Sequence, residues 1–452
     1  MRYSKIFGNR SVSPLYAGKL HRKDNNMDIL VVGGGGREHA VIKALSKSPK
    51  VGKIYCAPGN GGISKLAECF PVKATDIDGM VALAEQLKPD YVFVTPDDPL
   101  VMGMVDKLNE KGFKTFGPRA NAAILEGSKV FSKSLMKKYG IPTAAYETFT
   151  DADKAITYLK QQNSYPAVIK CDGLALGKGV IIAQNEQEAT DAVNSMLIGG
   201  KFGKSGSEIV IEEFMTGPEV TVLAFTDGKT VKPMVSSMDH KRAYDDDKGL
   251  NTGGMGTIAP NPLYTQKYAE ECMEKIFRPT VEAMQKEGRP FKGCLYFGLM
   301  LTPNGAKVVE YNCRFGDPEA QVVLPLLKTD LAEIIEAIYE EKLDKLDIEW
   351  YNGSCACVVM ASGGYPEKYP TGLPISGLDD NGQLADGTAY VYHAGTKLDN
   401  GTFLTAGGRV LGVTATADTL QGALDKAYGA VAEIGFENAH FRKDIGQRAL
   451  KG

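Results

Sequence analysis

The chain has 452 residues, 43% hydrophobic and only 8% aromatic, with a formal net charge of -3. A length of this order exceeds what one hydrophobic core supports and argues for roughly two to four domains. The near-neutral charge without a long basic block excludes a nucleic-acid footprint, and the lack of any run of roughly 18 apolar residues excludes a membrane-spanning helix.

The expected partners are therefore small molecules, with no nucleic acid and no membrane, in a cytoplasmic protein. The eight cysteines (Cys56, Cys69, Cys171, Cys272, Cys294, Cys313, Cys355 and Cys357) are spread singly. That spacing suits reduced core residues, not a disulfide scaffold, and Cys355-x-Cys357 lacks a second pair at zinc-site spacing.

Residues 1–26 are basic, polar and aperiodic, and precede a strong strand, MDILVVG, that opens at Met27. They read as an extension outside the fold: a disordered tail, a mis-assigned start or a transit peptide. From Met27 short apolar strands (DILVVG, KIYCAP, YVFVTP, KTFGP) alternate with helices predicted over 38–46 and near 80–87. This alternation predicts a parallel α/β sheet in an N-terminal domain over 27–126.

A second unit opens with the helix SKVFSKSLMKKYG, stopped by Gly140, and continues through strands YPAVIKCDG, KGVIIAQ, EIVIEEF, VTVLAFTDG, CLYFGLML and KVVEYNCRF. Its predicted extent is 127–350, with a mobile flap over about 148–216 and a long polar loop at 239–256. Strands SCACVVMASGG, AYVYHAG and GRVLGVTATA with a helix over 419–434 predict a small α+β domain over 351–452. The predicted fold is thus α/β and α+β multidomain.

Four segments carry chemistry. VVGGGGREHA places glycines between a strand and a helix, where backbone N–H groups can hold a phosphate. A dinucleotide fingerprint would need glycine where Glu38 stands and an acid after the second strand, where the chain reads Ala57-Pro58-Gly59, so a nicotinamide-dependent dehydrogenase is disfavoured. Instead PGNGG follows that strand, which sets two glycine turns side by side for a sugar phosphate.

VIKCDGLALGKGV combines Lys170 with Lys178 in a glycine-rich turn, the components of a flap over a triphosphate. In IVIEEFMTGPEV, Glu212, Glu213 and Phe214 end a strand that could hand backbone groups to a purine edge, leaving Glu219 to accept from ribose hydroxyls. In KVVEYNCRFGDPEAQ, Glu310 and Asn312 lie two apart on a strand, so one face presents two hard oxygen donors suited to a nucleotide-bound Mg2+ or Mn2+. Arg314 follows on the same face, placed to clamp a phosphate or carboxylate, while Tyr311, Cys313 and Phe315 point inward.

The loop SSMDHKRAYDDDKGLNTGGMG carries Asp239, Lys241 and Arg242 and suits an amino-acid substrate. His240 reads as a positioning or surface residue, and Asp245, Asp246 and Asp247 as solvated carboxylates outside the site.

In order, GGGGREHA, PGNGG, FGP with EGSK, IKCDGLALGKGV, IEEF, DHKR, NTGGMG and EYNCRFGDPE resemble the phosphoribosylamine–glycine ligase family, and VVMASGGYP, HAGTK, GGRVLGVTA and FRKDIG continue the likeness. The resemblance covers nearly everything after Met27. It implies an ATP-grasp fold and ligation of glycine to 5-phosphoribosylamine through glycyl phosphate, with ATP as substrate and Mg2+ or Mn2+ bound.

Carried over by motif, Lys129, Lys170, Lys178, Glu212, Glu213, Phe214 and Glu219 would contact ATP, and Glu310 and Asn312 the metal. Arg314, Lys241 and Asp239 would act on the acyl phosphate and glycine. Gly35, Gly36, Arg37, Asn60, Gly62 and Arg409 would hold the phosphoribosyl group. A monomer is expected, and, because the chain ends shortly after FRKDIG, a monofunctional enzyme. TPDDPL departs from the family pattern, with Asp97 where a longer glutamate is expected.

Two other readings remain open at this stage. One is an ATP-grasp ligase that makes carboxyphosphate from bicarbonate. The other is a nucleotide-binding scaffold that has lost catalysis.

Overall fold

The computed structural model describes residues 26–173, 179–199 and 203–451. Residues 1–25 of the basic extension, part of the flap and Lys178 lie outside the described residues. Among the described residues, no helix is long and apolar enough to cross a membrane.

Five parallel strands form the first sheet, in spatial order Glu68–Cys69, Val51–Pro58, Met27–Gly33, Tyr91–Val94 and Lys114–Phe116. The central strand carries apolar residues on both faces because helices cover both, as doubly wound sheets require. The order reverses at Met27–Gly33, so the glycine turn that follows it opens into the crevice where such sheets bind ligands.

The predicted helices appear with legible ends. Lys129–Tyr139 starts at Ser128, whose hydroxyl accepts from the Phe131 N–H, and stops at Gly140 in the left-handed conformation (φ 68°). Leu420–Glu433 is capped by Thr419 and Leu331–Tyr339 by Asp330.

Residues 146–213 form an antiparallel sheet of order Tyr146–Phe149, Ile209–Glu213, Ala167–Cys171, Val180–Ala183, backed by helices Ala152–Gln162 and Glu186–Leu197. They bury a core of their own around Ile169, Ile211 and Val193. A second antiparallel sheet runs Val231–Pro233, Glu219–Asp227, Lys292–Thr302, Gly305–Asn312 and shares its core with one face of the N-terminal sheet.

The third sheet crosses the boundary expected near 350. It takes Met238–Asp239 and Gly256–Ala259 from the central segment and joins them to Ser354–Ala361, Arg409–Ala417 and Tyr390–His393. The polar loop between the first two strands forms a ribbon of its own, Arg242–Tyr244 against Lys248–Asn251. Of the acidic turn at its tip, Asp246 has the exposed side chain that the sequence reading expected, while Asp245 and Asp247 are tied to the C-terminal segment instead of being free in solvent. Asp245 accepts from the Lys443 N–H, the Asp246 N–H donates to Asp444, and Asp247 pairs with buried Arg442 at 3.0 Å.

His240 is likewise no surface residue. Its Nε2 accepts from the Gly446 N–H, so Nδ1 donates to the Gly256 carbonyl at 3.1 Å. His39 and His393 are buried together between the first helix and the C-terminal sheet, with the His393 N–H donating to His39 Nδ1 at 2.8 Å. All three rings are held neutral by burial: His240 and His393 are pulled down to about 4 and His39 falls well below its usual 6.5.

A histidine whose folded pKa is depressed contributes stability that is present above about pH 6.5 and lost as pH falls toward the folded value. We predict an unfolding free energy that drops between pH 6.5 and pH 4 by about 1.4 kcal/mol per pH unit for each of these histidines. Denaturant titrations of the wild type and His240→Asn at several pH values check this as a difference, since raised buried carboxyls slope the other way over the same range; a slope left unchanged by His240→Asn refutes it.

Candidate active site

The strand Gly305–Asn312 changes phase partway along. Gly298 pairs with Glu310 but Leu299 pairs with Val308, so Val309 is an extra, bulged residue. Ala306 and Val308 point into the core before it, and Tyr311 and Cys313 point into the same core after it. Strict alternation from Val308 would have buried Glu310 and Asn312. The bulge turns them, with Arg314, toward the cleft, and Gly298 leaves room for Glu310, since a Cβ there would sit 3.1 Å from its Cγ.

Lys241 gathers the carboxylates around this face. Its Nζ lies 3.3 Å from Glu219 and 3.6 Å from Glu310. Glu219 and then Glu310 outweigh the cost of its burial and hold its ammonium well above the usual range. Burial works against ionising Glu310, yet Lys241, Lys170, Lys129 and Arg314 together keep its carboxyl below the usual range.

Asp239 sits beside Glu319, a residue that the sequence reading left in a motif without a role. Burial, then their mutual repulsion, raises Asp239 well above the carboxylate range; burial also raises Glu319. Two adjacent carboxyls of this kind suit an incoming ammonium.

The residues expected at the nucleotide cluster at the junction of the two antiparallel sheets. Lys170 Nζ is 3.0 Å from Glu212 Oε1 and donates to the Val309 carbonyl at 3.3 Å, which couples it to the bulge. Lys129 donates to the Gly173 carbonyl at 2.8 Å. Lys133, not singled out in the sequence, is 3.2 Å from Glu212 Oε2; its position one helical turn after Lys129 was the available signal. Glu213 faces elsewhere, accepting from the Ala145 N–H and from Lys307, while Phe214 is exposed at the strand end.

Arg314 crosses to the N-terminal domain. Its Nη2 is 3.0 Å from Glu126 and 3.8 Å from Asp97, and its Nε is buried without a partner among the described residues. Burial pushes Glu126 up to about 7 against the opposing pull of Arg314, and its other oxygen accepts from the Cys313 N–H at 2.6 Å. Asp97 stays ionised despite burial because Arg314 and Arg37 face it.

The two glycine turns do lie side by side: a Cβ at Gly34 would meet the Gly59 carbonyl oxygen at 2.5 Å. Glu38, standing where a dinucleotide site needs glycine, folds back so that its carboxylate takes the Gly35 N–H at 2.5 Å and Arg37 Nε at 2.6 Å. Arg37 also donates to the Phe315 carbonyl, and Gly35 and Gly36 pack against Asp317.

Arg409 reaches this corner from the C-terminal domain, donating to Asp317 at 2.9 Å and to the Gly253 carbonyl at 2.7 Å. Asn60 and Gly62 belong to a different contact. Asn60 donates to the Gly34 and His393 carbonyls and accepts from the Gly62 and Ile63 N–H groups, and Gly62 is pressed on the His393 ring.

No cage of three or more His, Cys, Asp or Glu residues exists among the described residues. A magnesium ion held with a nucleotide needs only one or two protein oxygens, with phosphates and water supplying the rest. An ionised Glu310 and the amide oxygen of Asn312, on one face of one strand, fit that requirement.

The chain matches known proteins over most of its length. Residues 27–126 match the family described as phosphoribosylglycinamide synthetase, N domain; residues 127–320 match its ATP-grasp (A) domain and 355–448 its C domain. The phosphoribosylamine–glycine ligase of Caldanaerobacter subterraneus subsp. tengcongensis is 48% identical, over 93% of this chain and 99% of that protein. The crystal structure of the Thermotoga maritima phosphoribosylamine–glycine ligase superposes with a TM-score of 0.80 at 31% identity, covering 92% of this chain and all of that one. The biotin carboxylase domain of Hydrogenobacter thermophilus 2-oxoglutarate carboxylase shares the fold at 18% identity (TM-score 0.72, 92% and 91% coverage). With all three domains matched in order and this degree of identity, the chain belongs to the phosphoribosylamine–glycine ligase (phosphoribosylglycinamide synthetase) family.

Proposed function

We propose that the residues on and around the bulged strand carry out the ligation of glycine to 5-phosphoribosylamine, the reaction of this family in purine biosynthesis. ATP is consumed and glycinamide ribonucleotide, ADP and phosphate are formed. The single observation that carries the residue assignment is the bulge at Val309, which gathers Glu310, Asn312 and Arg314 on one face within reach of Lys241 and Lys170.

The glycine carboxylate attacks the γ-phosphorus of ATP, ADP leaves, and the amine of phosphoribosylamine then displaces phosphate from the glycyl phosphate. Neither step needs a protein nucleophile; both need charge neutralisation and alignment. Mg2+ or Mn2+, when bound with the nucleotide, supplies positive charge against the phosphates.

Lys129 and Lys170 face the phosphate path, with Lys178 as the flap's own cation, and Glu212, Phe214 and Glu219 hold the nucleoside. Asp239, with Glu319 beside it, receives the glycine ammonium; the pair's raised carboxyls are relieved by a cation. Arg314, with its buried free Nε, faces the acyl phosphate. Arg37, Gly35, Gly36 and Arg409 border the phosphoribosyl pocket, and Asn60 and Gly62 shape it from behind.

The reading includes a cytoplasmic protein that acts as a monomer; sedimentation of a dimer at working concentration would refute the second part.

We predict ADP formation only when glycine and phosphoribosylamine are both supplied with ATP and magnesium, with glycinamide ribonucleotide accumulating. ADP released with bicarbonate in place of glycine would refute the substrate assignment. Glu310→Ala is expected to cut turnover by at least about a hundredfold. Its unfolding midpoint should shift little, because the side chain faces the cleft. A variant that keeps wild-type turnover at limiting magnesium would refute the metal assignment.

A further inference from the structure

We propose that Lys133 is a positioning residue for ATP binding: it takes up the charge of Glu212 and so leaves the ammonium of Lys170 available to the triphosphate. The proposal rests on the assignment of Lys170 to the ATP site above.

Lys133 projects from the helix Lys129–Tyr139 with its side chain only 3% exposed. Its Nζ lies 3.2 Å from Glu212 Oε2 and donates to Thr143 Oγ1 at 2.7 Å, and that hydroxyl donates on to the Val308 carbonyl at 2.7 Å. The other oxygen of Glu212 is 3.0 Å from Lys170 Nζ, yet it has no hydrogen-bond donor among the described residues, so this contact is ionic without alignment. One buried carboxylate is thus shared by two ammonium groups, and the triad carries a net positive charge on the side where Lys170 reaches the Val309 carbonyl. In a poorly solvated setting that uncompensated charge attracts an anion strongly. Without Lys133, Glu212 and Lys170 would neutralise each other and the attraction at this point would weaken.

The groups that face Lys133 are Glu212 and Glu213 from one strand, Lys170 from the next, and the Tyr146 ring at 5.7 Å. Burial, together with the like charge of Lys170, pulls its ammonium down to about 8 against the pull of Glu212. The triad's net charge therefore disappears on the alkaline side, and ATP affinity should fall with it.

The test is calorimetric titration of the full-length protein with ATP and magnesium, without glycine, across pH 7 to 10, paired with steady-state kinetics. Lys133→Met should raise the Kd and KM for ATP by about tenfold or more, with a smaller effect on kcat. Wild-type Kd should rise as pH passes about 8. Lys133→Arg, charged throughout, should keep near-wild-type affinity at neutral pH and lose that inflection.

Wild-type affinity in Lys133→Met, or an unchanged inflection in Lys133→Arg, overturns the proposal. If circular dichroism shows that Lys133→Met does not fold, the Lys133→Arg profile decides alone. A protein that binds ATP but forms no ADP from glycine and phosphoribosylamine would refute the ligation reading, while the calorimetric comparison would still decide the role of Lys133.

Discussion

One extra residue in one strand organises the active site. The bulge at Val309 lets Gly305–Asn312 serve the hydrophobic core with Ala306 and Val308, then change phase so that Tyr311 and Cys313 continue in that core while Glu310 and Asn312 turn outward. Side chains on a strand alternate with a period of two, so a single insertion is the smallest change that moves a polar pair from core to cleft. The same bulge presents the Val309 carbonyl to Lys170, which ties the Lys170–Glu212 cluster to the face that bears Glu310 and Asn312. Beyond it, Phe315 packs at 6.3 Å from both Phe93 and Phe116 of the N-terminal sheet, so the strand's end is anchored in a second domain.

Around this strand the site is a lattice of opposite charges at partial or full burial. Lys241 lies between Glu219 and Glu310, Glu212 between Lys133 and Lys170, Arg314 between Glu126 and Asp97, and Asp317 pairs with Arg409. Such pairs add little to stability, because desolvation offsets most of the Coulomb gain. Their value lies in preorganisation: cations fixed before the triphosphate arrives need no reorganisation as charge moves from ATP to the acyl group. Phosphoryl transfer asks for this and for little covalent help.

The C-terminal domain takes part in the site as well as covering it. Its sheet includes strands that flank the loop bearing Asp239 and Lys241, Arg409 bonds both the Gly253 carbonyl and Asp317, and Arg442 holds the acidic tip of the same loop. The residues proposed for glycine and for the phosphoribosyl group are therefore tied by direct contacts to the C-terminal segment. The sheet of residues 146–213, with a core of its own, is the part least bound by these ties.

Much of this was legible in the chain itself. Strand and helix periodicity set out the parallel sheet from Met27 and the helices stopped at Gly140 and capped at Thr419, because capping and hydrophobic period act over a few residues. The spacing of Glu310, Asn312 and Arg314 marked a common face for the same local reason. What tertiary structure alone decided depends on partners far apart in sequence. KVVEYN does not reveal the phase change, since the bulge exists only against Lys292–Thr302. Asp245 and Asp247 read as solvated because their partners, Lys443 and Arg442, lie some 200 positions on, and the burial of His240 was hidden because the backbone that meets its ring comes from Gly446. Lys133 looked like any helix lysine until the strand carrying Glu212 closed over it.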